Sequence, residues 1–380
     1  MNQIKIRILE SSVLTPRWET NFCIEELQNR FEVEYWDCTK IVSPSFSPKT
    51  EISKPYVVKI KSLKDLNQRI KQLSLDTLLI TNIHENPENF RFYKTIASRF
   101  KTIVTINFFA DNSEELPQSR LMKLIRKFNP RHAREIFYWK LYRKMFQKIL
   151  ISCSPSTEPY RINHPDYESF IRVQGNTSDD IVSLKPMIVY IDNYFPFHPE
   201  IKKREPSFQP EKVAHDFYQS LNRFFSLVEE KYHCQIVIAA HPSADFEKNP
   251  FNGRKIIFNK TDVLVKESMG VLMHTSNSLS YVYLNNVPVA FLTNAAYEEA
   301  KLESHRLKTL SEINHIRIVD TDQYKTINDD VLTPLDPELR TAYMKYQTDG
   351  NPETNAQRLT AYLTEIAQQI EKDHHHHSKS

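Results

Sequence analysis

The chain has 380 residues, 40% of them hydrophobic and 26% charged, the balance of a globular protein with enough apolar material for more than one core. Fifty Lys and Arg residues face 47 Asp and Glu, so the net charge of +3 says little about partners beyond not favouring RNA, and no apolar run reaches the roughly 18 residues that span a bilayer. The N-terminal segment lacks a signal-peptide layout, and the expected compartment is the cytoplasm.

In chain order, the first half alternates short apolar runs with amphipathic stretches. Strands are predicted at Ile4–Leu9, Phe31–Trp36, Tyr56–Ile60, Thr77–Asn82, Thr102–Asn107 and Lys148–Cys153, with helices at Asn21–Arg30, Leu63–Leu73 and Glu88–Arg99. This rhythm implies a parallel sheet covered on both faces. Turn residues over 156–184 interrupt it, and the domain link is placed there. The pattern resumes with strands at Met187–Ile191, Gln235–Ala239, Lys255–Phe258, Gly270–Met273 and Val289–Leu292, and a long helix at Glu211–Lys231. A closing helix over Asn355–Ile370 carries Leu359, Leu363, Ile366 and Ile370 on one stripe. The expected fold is α/β with two doubly wound domains facing a central cleft, followed by a C-terminal helix. The expected divisions are 1–155, a link over 156–184, a second domain over 185–335, C-terminal helices over 336–372 and an unstructured His-containing tail over 373–380.

Cysteine and glycine usage narrows the chemistry. Cys23, Cys38, Cys153 and Cys234 have no paired spacing, so neither a zinc site nor a disulfide framework is expected. The only glycines are Gly175, Gly253, Gly270 and Gly350. Neither G-x-G-x-x-G nor a P-loop can be built from them, and any nucleotide must be held by another device. No Asp-x-Asp lies at a convincing predicted strand end, so no metal is expected; Asp179-Asp180 and Asp329-Asp330 read as loop acids.

In open α/β sheets, ligands bind beyond the C-terminal ends of the strands. Three such ends in the second half carry polar residues. Asp192, followed by Asn193, ends Met187–Ile191, where a carboxylate can take a proton from an attacking hydroxyl or simply cap a turn. His241 follows the second strand, and Pro242 holds it extended, able to hydrogen-bond a phosphate oxygen or to serve as a structural histidine. His274, Thr275, Ser276, Asn277 and Ser278 follow Gly270–Met273 and open a predicted helix over Ser278–Leu284, with more cap-competent residues than one cap needs. His198 supplies a second His-Pro close to Asp192, and His164 a third in the link.

Together these strand ends resemble the bacterial sialyltransferase, polysialyltransferase and capsule Kdo-transferase group, which carries an acidic motif, a His-Pro motif and a Ser/Thr motif on a GT-B fold. Residue 193 is Asn and residue 191 Ile where that acidic motif has Gly and a second acid. The resemblance covers roughly 188–292. It implies a GT-B glycosyltransferase with an acceptor-side first domain and a second domain binding a CMP-activated nonulosonate or Kdo, as co-substrate and without other cofactor. Asp192 and His241 would be catalytic, Asp192 as the base of an inverting reaction or the attacking carboxylate of a retaining one. His241 and Pro242 with Thr275, Ser276, Asn277 and Ser278 would be the phosphate-binding set, and Asn193, His198 and His274 additional substrate contacts. The acceptor would be a surface polysaccharide, capsule or lipooligosaccharide. The alternatives are a UDP- or GDP-sugar or polyol-phosphate transferase of the same fold, and a non-catalytic binding protein.

The segment Arg120–Lys148 holds ten Lys or Arg residues against a single acid, Glu135, with aromatics at helical spacing after Pro130. It reads either as a core-packed helix with a solvated basic face or as a peripheral contact with the inner face of the cytoplasmic membrane. No nucleic-acid motif accompanies it.

Overall fold

A computed structural model describes residues 3–42, 51–108, 130–154, 160–175, 179–348 and 352–377. The chain forms two compact units, one of residues 1–165 with 348–380 and one of 166–347.

The first unit holds a parallel sheet of β1 (Lys5–Glu10), β2 (Glu32–Asp37), β3 (Val57–Lys59), β4 (Leu78–Thr81), β5 (Thr102–Asn107) and β6 (Gln147–Ser152). Its spatial order is β3-β2-β1-β4-β5-β6. Strand side chains alternate between faces. Ile6, Ile8, Leu78 and Ile80 enter one buried cluster while Leu9, Leu79 and Ile103 enter the other, so both faces are covered. The single helix expected over Asn21–Arg30 is instead two, Pro16–Asn21 and Ile24–Gln28, broken at Cys23 with φ 49°.

The second unit repeats the plan with β7 (Met187–Ile191), β8 (Gln235–Ala240), β9 (Ile256–Phe258), β10 (Gly270–Met273), β11 (Val289–Thr293) and β12 (Ile318–Asp320), all parallel. The order is β12-β11-β10-β7-β8-β9. Numbered from its own first strand, each sheet has the same sequence of neighbours, with its order reversing beside that strand. β12 is too short for a periodic signal and has no counterpart among the predicted strands. A Cβ on Gly270 would run into the end of the Leu332 side chain, which would have to shift to make room.

The boundaries differ from those expected. The supposed link holds the helices Pro165–Val173 and Asp179–Val182, so Asp179-Asp180 open a helix rather than sit in a loop. Ile181 and Leu184 join the second unit's core. The closing helix, Asn355–His377, packs on the first unit, not the second: Leu359, Leu363 and Ile366 are buried with Ile6 and Phe22. Asn163 and Asn355 fasten it through Asn163 N–H to Asn355 Oδ1 at 2.8 Å and Asn355 Nδ2 to the Asn163 carbonyl at 2.9 Å. Arg358, 1% exposed, donates to the Arg161 carbonyl at 3.1 Å. Helical backbone through His377 replaces the unstructured tail expected from 373; residues 378–380 lie outside the described set. Among the described residues no helix is long and apolar enough to cross a membrane.

Candidate functional site

The second sheet reverses its strand order between β7 and β10, and this is where an open α/β sheet leaves a crevice. Register brings the three singled-out segments to the same edge. Ile191 pairs with Ala239 on one side and Met273 on the other, so Asp192, His241 and the 274–278 segment all follow neighbouring strands at one end.

Asp192 is 2% exposed. Its Oδ1 accepts the Tyr194 N–H at 3.0 Å, and the His241 N–H also donates to the carboxylate. Oδ2 has no partner among the described residues. Burial outweighs the two donors and pushes the pKa up from 3.8 to about 7. The turn is tight: Tyr194 lies in the left-handed region at φ 58°, and Asn193 Oδ1 accepts the Phe195 N–H at 3.3 Å. Asn193 Nδ2 donates to the Thr275 carbonyl at 3.4 Å and so links the β7 and β10 ends.

His241 and His198 come together, with ring centroids 4.8 Å apart and planes at 81°. His241 Nδ1 accepts the Ser243 N–H at 3.1 Å, and His198 Nδ1 accepts the Glu200 N–H at 3.2 Å. Each proton therefore sits on Nε2, which leaves two neutral N–H donors side by side. Burial, with the neighbouring His198, drops the His241 pKa to about 4; burial and Arg204 lower that of His198.

The 274–278 segment divides. His274 is fully buried, with Nδ1 2.6 Å from the Leu292 carbonyl and its ring stacked on Tyr297 at 4.4 Å. Burial lowers its pKa to about 3. The substrate contact expected of it is not open to a ring enclosed in this way. Thr275 is also buried, and its hydroxyl donates to Glu303 Oε2 at 2.9 Å; Arg204 pairs with Glu303 Oε1 at 3.0 Å. Both residues brace the segment from beneath. Ser276, Asn277 and Ser278 stay accessible. Ser276 Oγ accepts the Ser278 N–H at 3.1 Å and keeps its own proton to give. The helix that follows, Leu279–Asn285, has only seven residues, so these hydroxyls rather than a long helix axis favour an anion. Arg306, from the helix Lys301–Asn314, reaches Asn277 Oδ1 at 3.5 Å. Arg204, Glu303 and Arg306 carry no signal in the sequence, since each sits on a helix remote from the strand ends. Among the described residues, no group of three or more His, Cys, Asp or Glu is placed to hold a metal ion.

The first sheet has a matching residue that the strand-end reading of the second half did not include. Glu10 ends β1, is 3% exposed, and has its pKa raised by burial from 4.5 to about 7. Its Oε1 accepts from Ser11 N–H at 2.9 Å and Ser11 Oγ at 3.2 Å, while Oε2 and the buried Ser12 Oγ have no partner among the described residues. His164 lies just before the helix Pro165–Val173, three residues after Arg161, which bridges Ser152 at the end of β6.

No family model and no curated protein matches the chain. Among solved structures it is similar to the glycosyltransferase SnogD from Streptomyces nogalater, at 12% identity and TM-score 0.45 over 96% of this chain and 100% of that one. It is also similar to the UDP-GlcNAc 2-epimerase of Methanocaldococcus jannaschii, at 9% identity and TM-score 0.46 over 95% and 99% of the two chains. CalG4, the calicheamicin glycosyltransferase, gives 10% identity and TM-score 0.45 over 98% of each chain. Such scores and identities leave the chemistry of this chain to its own residues.

Proposed function

We propose that the chain is a glycosyltransferase with a GT-B arrangement whose second unit binds the nucleotide-sugar donor. The observation that carries the reading is the pair of neighbouring neutral imidazoles, His241 and His198, with both Nδ1 atoms occupied, at the same sheet edge as the accessible Ser276 and Ser278 hydroxyls. Several directed donors around one point suit a phosphate oxygen that gains charge as it leaves. Arg306 and Arg204 add positive charge at the rim.

In the reaction an acceptor hydroxyl attacks the anomeric carbon, the bond from that carbon to the phosphate oxygen breaks, and the electron pair stays on the phosphate. The hydroxyl proton is assigned to the Asp192 carboxylate, whose pKa of about 7 suits a base working near neutrality; because Asp192 is buried here, the turn over 192–194 must move for an acceptor to reach it. The first unit takes the acceptor side, a surface glycan or lipid-linked glycan. The resemblance of Asp192, the His241-Pro242 pair and the Thr275–Ser278 segment to the CMP-sugar transferases favours a CMP-linked nonulosonate or Kdo as donor.

Thermal stabilisation by CMP, UDP and GDP, compared between the wild type and His241→Ala, tests the reading. A shift with CMP that His241→Ala removes is expected. A shift with UDP or GDP alone moves the donor to the other bases, and no shift with any nucleotide favours a non-catalytic binding protein.

A further inference from the structure

The helix Pro130–Met145 carries apolar side chains on two opposite sides, and only one side is used by the fold. Inward, Tyr142 is 2% exposed and packs edge-on against Tyr93 at 5.0 Å and Phe90 at 5.9 Å. Tyr138 meets Phe90 at 5.1 Å. Outward, Ile136, Phe137 and Trp139 stand 42%, 58% and 49% exposed. At 100° per residue the cations Lys140, Arg143 and Lys144 fall between them on that same outward arc. None of the three forms an ion pair among the described residues, whereas the neighbouring Arg134 and Lys148 are paired with Glu88 and Glu85. Arg143 lies over the Trp139 ring at 4.8 Å. The surface continues onto β6, an edge strand, where Leu150 is 44% exposed on the strand face that also carries Lys148. A cavity of about 390 Å³ opens where the helix meets this strand, lined by Trp139, Arg143 and Lys148 among others.

We infer that this outward face is a docking surface for an anionic lipid bilayer. Large apolar and aromatic side chains interleaved with unpaired cations match an interface whose outer layer is negative and whose inner layer is apolar. Of the nearby acids, Glu85 at the cavity is paired with Lys148, and Glu135 lies on the helix outside the arc from Trp139 to Phe137. A second copy of this chain fits less well. A two-fold contact sets a patch against itself, and here that would bring three unpaired cations against three. The surface belongs to the first unit, whereas the donor site proposed above belongs to the second.

Flotation of the full chain with phosphatidylcholine vesicles, with and without phosphatidylglycerol, tests the inference. The protein is expected to float with the anionic vesicles and not with the neutral ones. Lys140→Glu with Arg143→Glu and Lys144→Glu should lower the partition by about fivefold per cation, roughly a hundredfold together. Phe137→Ser with Trp139→Ser should lower it as well, and an unchanged melting temperature in both variants shows that the fold is intact. Emission from Trp139 should shift to the blue on binding, and Trp139→Phe should remove the shift while flotation persists. Protein that stays with the solvent overturns the inference, as does equal binding by the charge-reversed variant. A dimer in solution that Phe137→Ser disperses would overturn it too and assign the face to self-association. Nucleotide-induced stabilisation, measured in parallel, reads the second unit alone, so the two proposals fail separately.

Discussion

The two units share one strand order, and in each the first strand ends in a buried carboxylate whose pKa burial raises to about 7: Glu10 in the first, Asp192 in the second. What surrounds them differs. At the strand ends shared with Asp192 stand the His241 and His198 imidazoles and the accessible Ser276 and Ser278 hydroxyls, with Arg306 reaching Asn277, a set that favours an anion. Beside Glu10 are the hydroxyls of Ser11, which donates to it, and of Ser12, which has no partner among the described residues. The same topology thus sets different chemistry around the two carboxylates. The fold supplies the position, and the loop residues after each strand decide what binds.

The largest expected effect is at Asp192. Asn keeps an oxygen to accept the Tyr194 N–H but cannot take a proton, so Asp192→Asn should lower kcat by roughly 10²- to 10⁴-fold. The same change should stabilise the protein at alkaline pH. A carboxyl whose folded pKa is raised from 3.8 to about 7 favours the folded state while protonated, and loses that advantage as pH rises through this window. Above pH 7 the Asn variant escapes that loss and should melt at a higher temperature than the wild type, a trade of stability for function visible by calorimetry. If transfer survives in Asp192→Asn and disappears in Glu10→Gln, the proton-accepting role passes to the first unit.

His241→Ala comes next, with an expected loss of roughly 10²- to 10³-fold in kcat and of nucleotide-induced stabilisation. With its pKa at about 4, His241 stays neutral through the physiological range, so kcat/KM should show an acid limb near pH 7 from Asp192 and none from this imidazole at pH 5 to 6. A limb near pH 6 that His241→Gln removes would break the assignment of a neutral donor.

A smaller contrast separates two adjacent hydroxyls. Ser276→Ala should weaken donor binding about tenfold, the usual worth of a hydrogen bond to a charged group, with little change in melting temperature. Thr275→Val should do the reverse. It removes the bond to Glu303 at 2.9 Å and costs roughly 1–3 kcal/mol of stability by leaving a buried carboxylate short of a donor. Equal effects of the two on binding would merge the roles that the structure separates. The smallest effect on donor binding belongs to Glu10→Gln, expected to leave nucleotide stabilisation unchanged while raising the melting temperature above pH 7 by the same logic as at Asp192.

Much of the fold is legible in the residues because buried parallel strands are short apolar runs: Ile188, Val189 and Ile191, or Ile236, Val237 and Ile238, announce themselves without help. The strand-end positions of Asp192, His241 and Ser276 follow from that pattern. Glu10 ends an apolar run in the same way, so its signal is present in the sequence as well. What the pattern leaves out is direction. His274 and Thr275 follow β10 just as His241 follows β8, but the chain stays under the neighbouring helices for two more residues before it turns out to solvent. The unit to which the closing helix belongs was equally unreadable, since its stripe of Leu359, Leu363 and Ile366 would suit either sheet. Only pairings such as Asn163 with Asn355, remote in sequence, decide between them.

That pairing bears on how the molecule is made. One core is completed by a helix that emerges from the ribosome only after all of 166–347 has been synthesised, so the second unit, continuous in sequence, is free to fold while the first still lacks the layer supplied by Leu359 and Leu363. Premature termination before residue 355 would therefore spare the later-encoded unit and injure the earlier one, an inversion of the usual polarity of truncation damage.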